Sequence, residues 1–187
     1  MPEKKVHLGP STSLFPIPAV MVSCCSKDGK ENNIITLAWV GTLSSNPPII
    51  GICIRESRHS YAMIKESGEF VVNIPSESQV KQLDFCGVAT GKKVNKFKEC
   101  GFTPIKGKIV NAPLIGESPV NIECKVRKII TDYSDSHHLF LGKVVSIAVN
   151  ESCGSDMDVN KVKPIAYCNG GYWGLSRLLG KFGFSKR

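Results

Sequence analysis

The sequence lacks every common glycine-rich phosphate loop. Neither GxGxxG nor GxxxxGK followed by Ser or Thr occurs, and "NGGYWG" and "GKFGFS" satisfy neither pattern. A Rossmann or Walker nucleotide site is therefore not expected. The nucleophile elbow GxSxG is also missing, so nothing points to an α/β-hydrolase. The chain has eight cysteines but no C-x-x-C pair, and Cys24 and Cys25 are adjacent. That spacing supports neither a disulfide framework nor a zinc site, and His137-His138 alone supplies no ligand cluster. Free thiols suit a reducing, cytoplasmic setting; Cys86 and Cys100 look the more exposed and are the candidates for redox sensitivity. No apolar run approaches the ~20 residues of a membrane helix. The apolar part of the N-terminal stretch is cut by Pro16 and Pro18, which rules it out as a signal sequence. A cytoplasmic protein with no membrane partner is the expectation.

Basic residues are plentiful: 24 Lys and Arg against 16 Asp and Glu give a net charge of +8. The densest run is Lys92, Lys93, Lys96 and Lys98, followed by Lys106 and Lys108. No arginine stripe or RNA-binding aromatic signature accompanies it, so nucleic acid is not the expected partner. These lysines read as a solvated set with one or two facing an anion. With 42% hydrophobic residues the chain can build a core, and a single domain over 1–187 is expected, with no internal repeat or linker.

Alternation and turn signals place the strands. Pro18 to Ser26 reads as the first, closed by a turn at Asp28-Gly29. Asn33 to Leu43 is the second and Ile49 to Arg55 the third. A helix follows, with Ser57 as its cap and Gly68 as its stop. Residues 69–75 form a fourth strand, and Ser76 caps a second helix through Val80, Leu83 and Phe85. Asn95 to Cys100 is a short helical piece. In residues 120–130 apolar Ile122, Cys124, Val126 and Ile130 alternate with Asn121, Glu123, Lys125 and Arg127, one face buried and one wet. Residues 137–150 are apolar on both faces, as in a strand covered on its outer side. Pro164 to Tyr167 reads as an edge strand, and the aromatic tail with Tyr172, Trp173, Phe182 and Phe184 as packed. Six or seven strands joined by short turns favour a mainly β fold with accessory helices, a closed or half-closed antiparallel barrel.

One stretch is richer than a hairpin requires. "TLAWVGTLSSNPPII" sets Trp39 beside Val40, Gly41, Thr42, Ser44 and Ser45, with Arg55, Arg58 and Ser60 just beyond. If the flanking strands pair, these residues gather at one strand end and one helix start. Hydroxyls, a helix N-terminus and arginine suit a phosphate; tryptophan suits a planar ring; glycine lets it approach the backbone. An anion joined to a flat heterocycle is what a mononucleotide-type cofactor presents. A core tryptophan beside a polar turn and an ordinary helix cap fits the same residues.

The run "NIITLAWVGTLSSNPPIIGICIRESRHSYAMIKESGEFVVNIP", with "LDFCGVATGKKVNKF", "APLIGESPVNIECKV", "HHLFLGKVVSI" and "GKFGFS", resembles the flavin reductase-like, FMN-binding split-barrel family and its flavoredoxin branch. The resemblance implies a six-stranded antiparallel Greek-key barrel, a homodimer, and FMN bound without covalent attachment near the dimer interface. It implies an oxidoreductase that takes electrons from NAD(P)H or a redox protein and passes them through the flavin. The other readings are a flavoredoxin-type carrier without nicotinamide and a non-catalytic module for FMN or haem. Carried over by position, the cofactor residues are Asn33, Trp39, Val40, Gly41, Thr42, Arg55, Arg58, Ser60, Lys96 and His138, with Tyr172 as a further aromatic. Trp39 lies against the ring, Arg55, Arg58 and Ser60 serve the phosphate or ring, and Lys96 offsets negative charge on the reduced ring. No catalytic side chain and no metal ligand are expected, because the flavin carries the chemistry.

Overall fold

Turn chemistry sets the first part of the sheet. The computed structural model describes residues 2–186, leaving Met1 and Arg187, the ends of the expected domain, outside the described residues. A two-residue strand, β1 (Ile17–Pro18), precedes β2 (Val20–Cys25). At the expected turn Gly29 has φ 72°, and Ser26 donates from Oγ to Asp28 Oδ1 at 2.6 Å. The chain returns as β3 (Asn32–Leu37), bends at Ala38 and Trp39, and continues as β4 (Val40–Ser45) and β5 (Pro48–Ile54).

Helix α1 (His59–Ser67) stops at Gly68, whose φ of 69° is the left-handed conformation glycine adopts without strain. After β6 (Glu69–Ile74), Ser76 and Gln79 form a reciprocal capping box around a 3₁₀ turn that leads into α2 (Val80–Val88). Then come α3 (Lys96–Cys100), the short strands β7 (Pro104–Ile105) and β8 (Leu114–Ile115), and the long hairpin of β9 (Val120–Ile130) and β10 (His138–Val149). Helix α4 (Val159–Val162), β11 (Ile165–Cys168) and β12 (Gly171–Gly174) complete the elements.

The main sheet has the order β3-β2-β6-β9-β10-β5-β4, antiparallel throughout. Its two edge strands, β3 and β4, are consecutive in the chain and separated only by Ala38 and Trp39. Two residues span only about 7 Å, so the sheet must curl until its edges nearly meet. This is a barrel with an unpaired seam, and Trp39 stands in the seam; its carbonyl accepts from Cys53 N at 2.9 Å. The barrel interior holds Val20, Val22, Ile35, Ile52, Ile54, Phe70 and Phe140, roofed by Tyr61 and Ile64 of α1. On the outer face of β2 and β3, Met21 and Ile34 pack under Leu83 of α2 and Phe97 of α3. Strand β2 is therefore buried on both faces.

Several expectations are corrected. The second strand is not one element over Asn33 to Leu43: it breaks at the seam into β3 and β4. Ser57 is not the cap of α1; Arg58 holds that position, without a side-chain cap bond. Asn121 and Glu123 are buried rather than wet. The segment over 107–110 folds onto Glu123, whose carboxylate accepts Lys108 N at 3.1 Å, Ile109 N at 2.7 Å and Val110 N at 2.9 Å, while Asn121 donates to Asn73 Oδ1 at 2.8 Å. Strand β10 is covered on its outer side only in part by this chain: Val145 and Ala148 pack against the cluster that holds Val71, Val110 and Leu114, while Ile147 is exposed. Strand β11 is the centre, not the edge, of a three-stranded sheet with β1 and β12. The tail packs only as far as β12; Phe182 and Phe184 are exposed. Cys86 is fully buried, against its exposed look in the sequence. Among the described residues no helix is long and apolar enough to cross a membrane.

Candidate functional site

At the seam the ends of β3 and β5, the start of α1 and one face of α2 enclose a cavity of about 400 Å³. That is within the size range of small-molecule and cofactor pockets. Trp39 forms one wall and is 46% exposed. Its ring stacks on His137, with centroids 6.0 Å apart and planes 13° from parallel. Arg55, at the end of β5, donates from Nε to His137 Nε2 at 3.4 Å. Burial, and then the charges of Arg55 and Arg58, hold the His137 pKa below its usual value. The ring is thus biased toward its neutral form, with Nε2 accepting from Arg55. On the opposite wall Tyr172 of β12 donates to Asp84 Oδ1 of α2 at 3.1 Å. Burial, and then Asp84, push the Tyr172 pKa up to about 12, so its hydroxyl keeps its proton.

Arg58, Ile35 and Gly87 also line a second, smaller cavity of about 60 Å³, so the two spaces adjoin. Asn33, Ser60 and Lys96 converge there. Ser60 is buried at the first turn of α1 and accepts from Asn33 Nδ2 at 2.9 Å. Lys96 is 3% exposed and donates from Nζ to Ile34 O at 2.7 Å and Cys86 O at 2.6 Å. An ammonium has three donors, so one remains for a ligand. Burial is the main cause of the lowered Lys96 pKa; the charge of Arg58 adds to it, while Cys86, Cys24 and Cys100 oppose it. The chain between α2 and α3 approaches closely here: a Cβ on Gly91 would overlap the side-chain amide of Asn33.

Among the described residues Lys30 pairs with Asp28, and His59 Nε2 stands 2.7 Å from Glu31 Oε1. Arg55, Arg58 and Lys96 have no carboxylate partner there. Three cationic groups around adjoining cavities leave a site suited to an anion. A planar cofactor bearing a phosphate fits this combination of a flat aromatic wall and cations that outnumber Asp84, the one carboxylate in the lining of the two cavities.

The structure brings Trp39, Arg55 and Arg58 to the large cavity, and Asn33, Arg58, Ser60 and Lys96 to the small one. It does not bring all expected residues there. Val40 and Gly41 line a third, apolar cavity of about 450 Å³ with Leu14, Leu43 and Leu139, which shares Ala38, Trp39 and Cys53 with the large one. Thr42 is exposed on β4 and lines none of these three cavities. His138 points into the barrel, where Tyr61 OH meets its Nδ1 at 2.6 Å. The histidine at the cavity is His137. Strand alternation carries the signal: His138 shares a face with buried Phe140, so His137 faces the other way. Asp84, Gly87 and Thr90 lie in the run "LDFCGVATGKKVNKF" but are not among the expected site residues; α2 delivers Asp84 and Gly87.

The family model described as "Flavin reductase like domain" matches residues 12–176. Among solved structures, the chain is similar to the flavoredoxin of Desulfovibrio vulgaris (Miyazaki F), with TM-score 0.90 and 32% identity over 98% of this chain and 100% of that one. It is also similar to the flavoredoxin from Methanosarcina acetivorans, with TM-score 0.90 and 25% identity over 99% and 98% of the two chains. An uncharacterized protein of Archaeoglobus fulgidus is 36% identical over 118 residues, 63% of this chain and 66% of that protein.

Proposed function

We propose, from the premise that this chain belongs to the flavin reductase-like family of split-barrel oxidoreductases, that it binds FMN non-covalently and passes electrons through it. The observation that carries this reading is the pair of adjoining cavities, one wide and aromatic-walled, one small and cationic, sharing Arg58. Arg55 and Arg58 are the residues for the phosphate. Trp39 and His137 offer flat faces to a ring. Lys96, with one N–H free, favours the negative charge that a flavin ring acquires on reduction. The flavin supplies two-electron chemistry when bound, with NAD(P)H or a reduced redox protein as the source. Tyr172 and Asp84 close the wall opposite Trp39 and restrict water there.

The working unit is proposed to be a homodimer. The outer face of β10 is only partly covered, with Ile147 50% exposed, and Leu43 and Trp173 are likewise exposed at 54% and 61%. A second copy of the same chain is the simplest cover for such surfaces. Light scattering that returned a monomer would contradict this.

The visible spectrum of the purified protein, followed by anaerobic addition of NADH or NADPH, tests the redox reading. A yellow protein bleached by a nicotinamide is the expected reductase result. Bleaching only by a reduced protein donor identifies the carrier form. A colourless protein that also fails to take up added FMN refutes both.

A further inference from the structure

We propose that Cys86 and Cys100 form a reversible intramolecular disulfide that ties α2 to α3 at the wall of the cationic cavity, which Cys86 lines. The two sulfurs stand 3.7 Å apart as free thiols, against about 2.0 Å in a disulfide. They come from different helices, at the two ends of the segment that supplies Thr90 and Gly91 to the small cavity. Their exposures divide the roles. Cys100 is partly accessible, while Cys86 is fully buried behind it. An oxidant therefore meets Cys100 first, and Cys86 waits as the resolving thiol. The other cysteines are placed differently: Cys24 and Cys25 are neighbours on β2 and project to opposite faces, and Cys53 accepts from Tyr133 OH at 3.4 Å.

The oxidant is a hydroperoxide. The Cys100 thiolate attacks one peroxide oxygen, the O–O bond breaks, and the other oxygen leaves as alcohol or water with the proton. Cys100 is then a sulfenic acid. The Cys86 sulfur attacks the Cys100 sulfur, the S–O bond breaks, and the hydroxide leaves as water with the Cys86 proton. Two thiols lose two electrons and the peroxide gains them; a dithiol reverses the change. Burial raises both thiol pKa values; for Cys100 the contact with Cys86 and the charge of Lys96 pull the other way, and Glu99 adds to burial. Attack at neutral pH is accordingly slow and accelerates in alkali.

The bond matters because Lys96 lies between the two cysteines in sequence and donates to the Cys86 carbonyl. Closing it fixes the frame that holds that ammonium. It holds whether or not the cavities carry flavin.

The test exposes the dilute full-length protein to hydrogen peroxide at mildly alkaline pH, then counts thiols in denaturant and maps cross-linked peptides by mass. Thiols are expected to fall from eight to six, with the Cys86 and Cys100 peptides joined within one chain, and dithiothreitol should restore all eight. Cys100→Ser, with eight less one leaving seven, should keep all seven. Eight intact thiols in the wild type, a bond mapped elsewhere, oxygen added to Cys100 without cross-linking, or a Cys100→Ser protein that still loses two thiols would each overturn the proposal.

Discussion

Lys96→Met removes one buried cation and keeps an unbranched side chain of similar length. Its effect on folding is a difference of opposing quantities. Ile34 O and Cys86 O each lose a charge-assisted donor, at about 1–3 kcal/mol apiece. Against this, a group that is 3% exposed no longer carries a charge out of water, which relieves several kcal/mol. The net change in stability should stay within about 2 kcal/mol of zero. Binding has no such cancellation. Loss of the remaining N–H to an anionic ligand costs about 1.5–3 kcal/mol, roughly a ten- to hundredfold rise in Kd for FMN. Quenching of FMN fluorescence, titrated into flavin-free protein at fixed ionic strength, measures it. The pH dependence gives a second signature. Burial lowers the Lys96 pKa, so the flavin-free protein loses the cation at a lower pH than an ordinary lysine allows. Wild-type affinity should therefore fall as pH rises through that lowered pKa, and the Met variant should not follow. The sign for folding is opposite: charged Lys96 is disfavoured in the folded state, so its contribution improves as pH rises through the folded pKa. A Kd within twofold of wild type, with an unchanged melting curve, would show that Lys96 is only a strut between β3 and α2.

Trp39→Ala should raise the FMN Kd roughly tenfold through loss of a ring contact while leaving the melting temperature nearly unchanged, since the side chain is 46% exposed; equal flavin content in variant and wild type would remove Trp39 from the site. Glu123→Gln should cost about 2–4 kcal/mol, because three backbone donors lose a carboxylate, and thermal unfolding should fall by roughly 5–15 °C. Burial raises the Glu123 pKa, but its backbone donors outweigh burial and hold it low; its stabilisation is present above the usual carboxylate range and lost as pH falls through the folded value, so acid melts of the variant should be flatter. His137→Ala should alter flavin affinity and spare stability, whereas His138→Ala should lower the melting temperature by breaking the Tyr61 contact; the reverse pattern, read by paired melts and titrations, would exchange their roles.

Most of the strands were legible because alternation and turn residues are local. Gly29 and Gly68 stand where a positive φ is needed, and the expected turn and helix stop follow from that. The seam was not legible, because nothing in "LAWV" says that its two halves join opposite edges of a sheet. The burial of Glu123 and Asn121 was missed for the same reason: their partners, Lys108 to Val110 and Asn73, are distant in sequence or come from an irregular segment. At the site, neighbours of Trp39 in sequence are not its neighbours in the large cavity. Strand alternation and the bend send Val40 and Gly41 to another cavity, while α2 delivers Asp84 and Gly87 from far along the chain. Lys96 was identified as a position, but its burial depends on α3 folding against β3.

The seam also has a topological consequence. Traced through hydrogen bonds, β3 and β4 are as far apart as two strands of this sheet can be; traced through the covalent chain, they are neighbours. The hairpins β2–β3, β4–β5 and β9–β10 are local in sequence, whereas the β2–β6, β6–β9 and β10–β5 ladders join distant segments. Ring closure through Ala38-Trp39 is therefore satisfied only when those distant ladders are in register. A register slip anywhere around the circuit accumulates at this dipeptide, so the geometry of the aromatic wall reports the correctness of the whole ring.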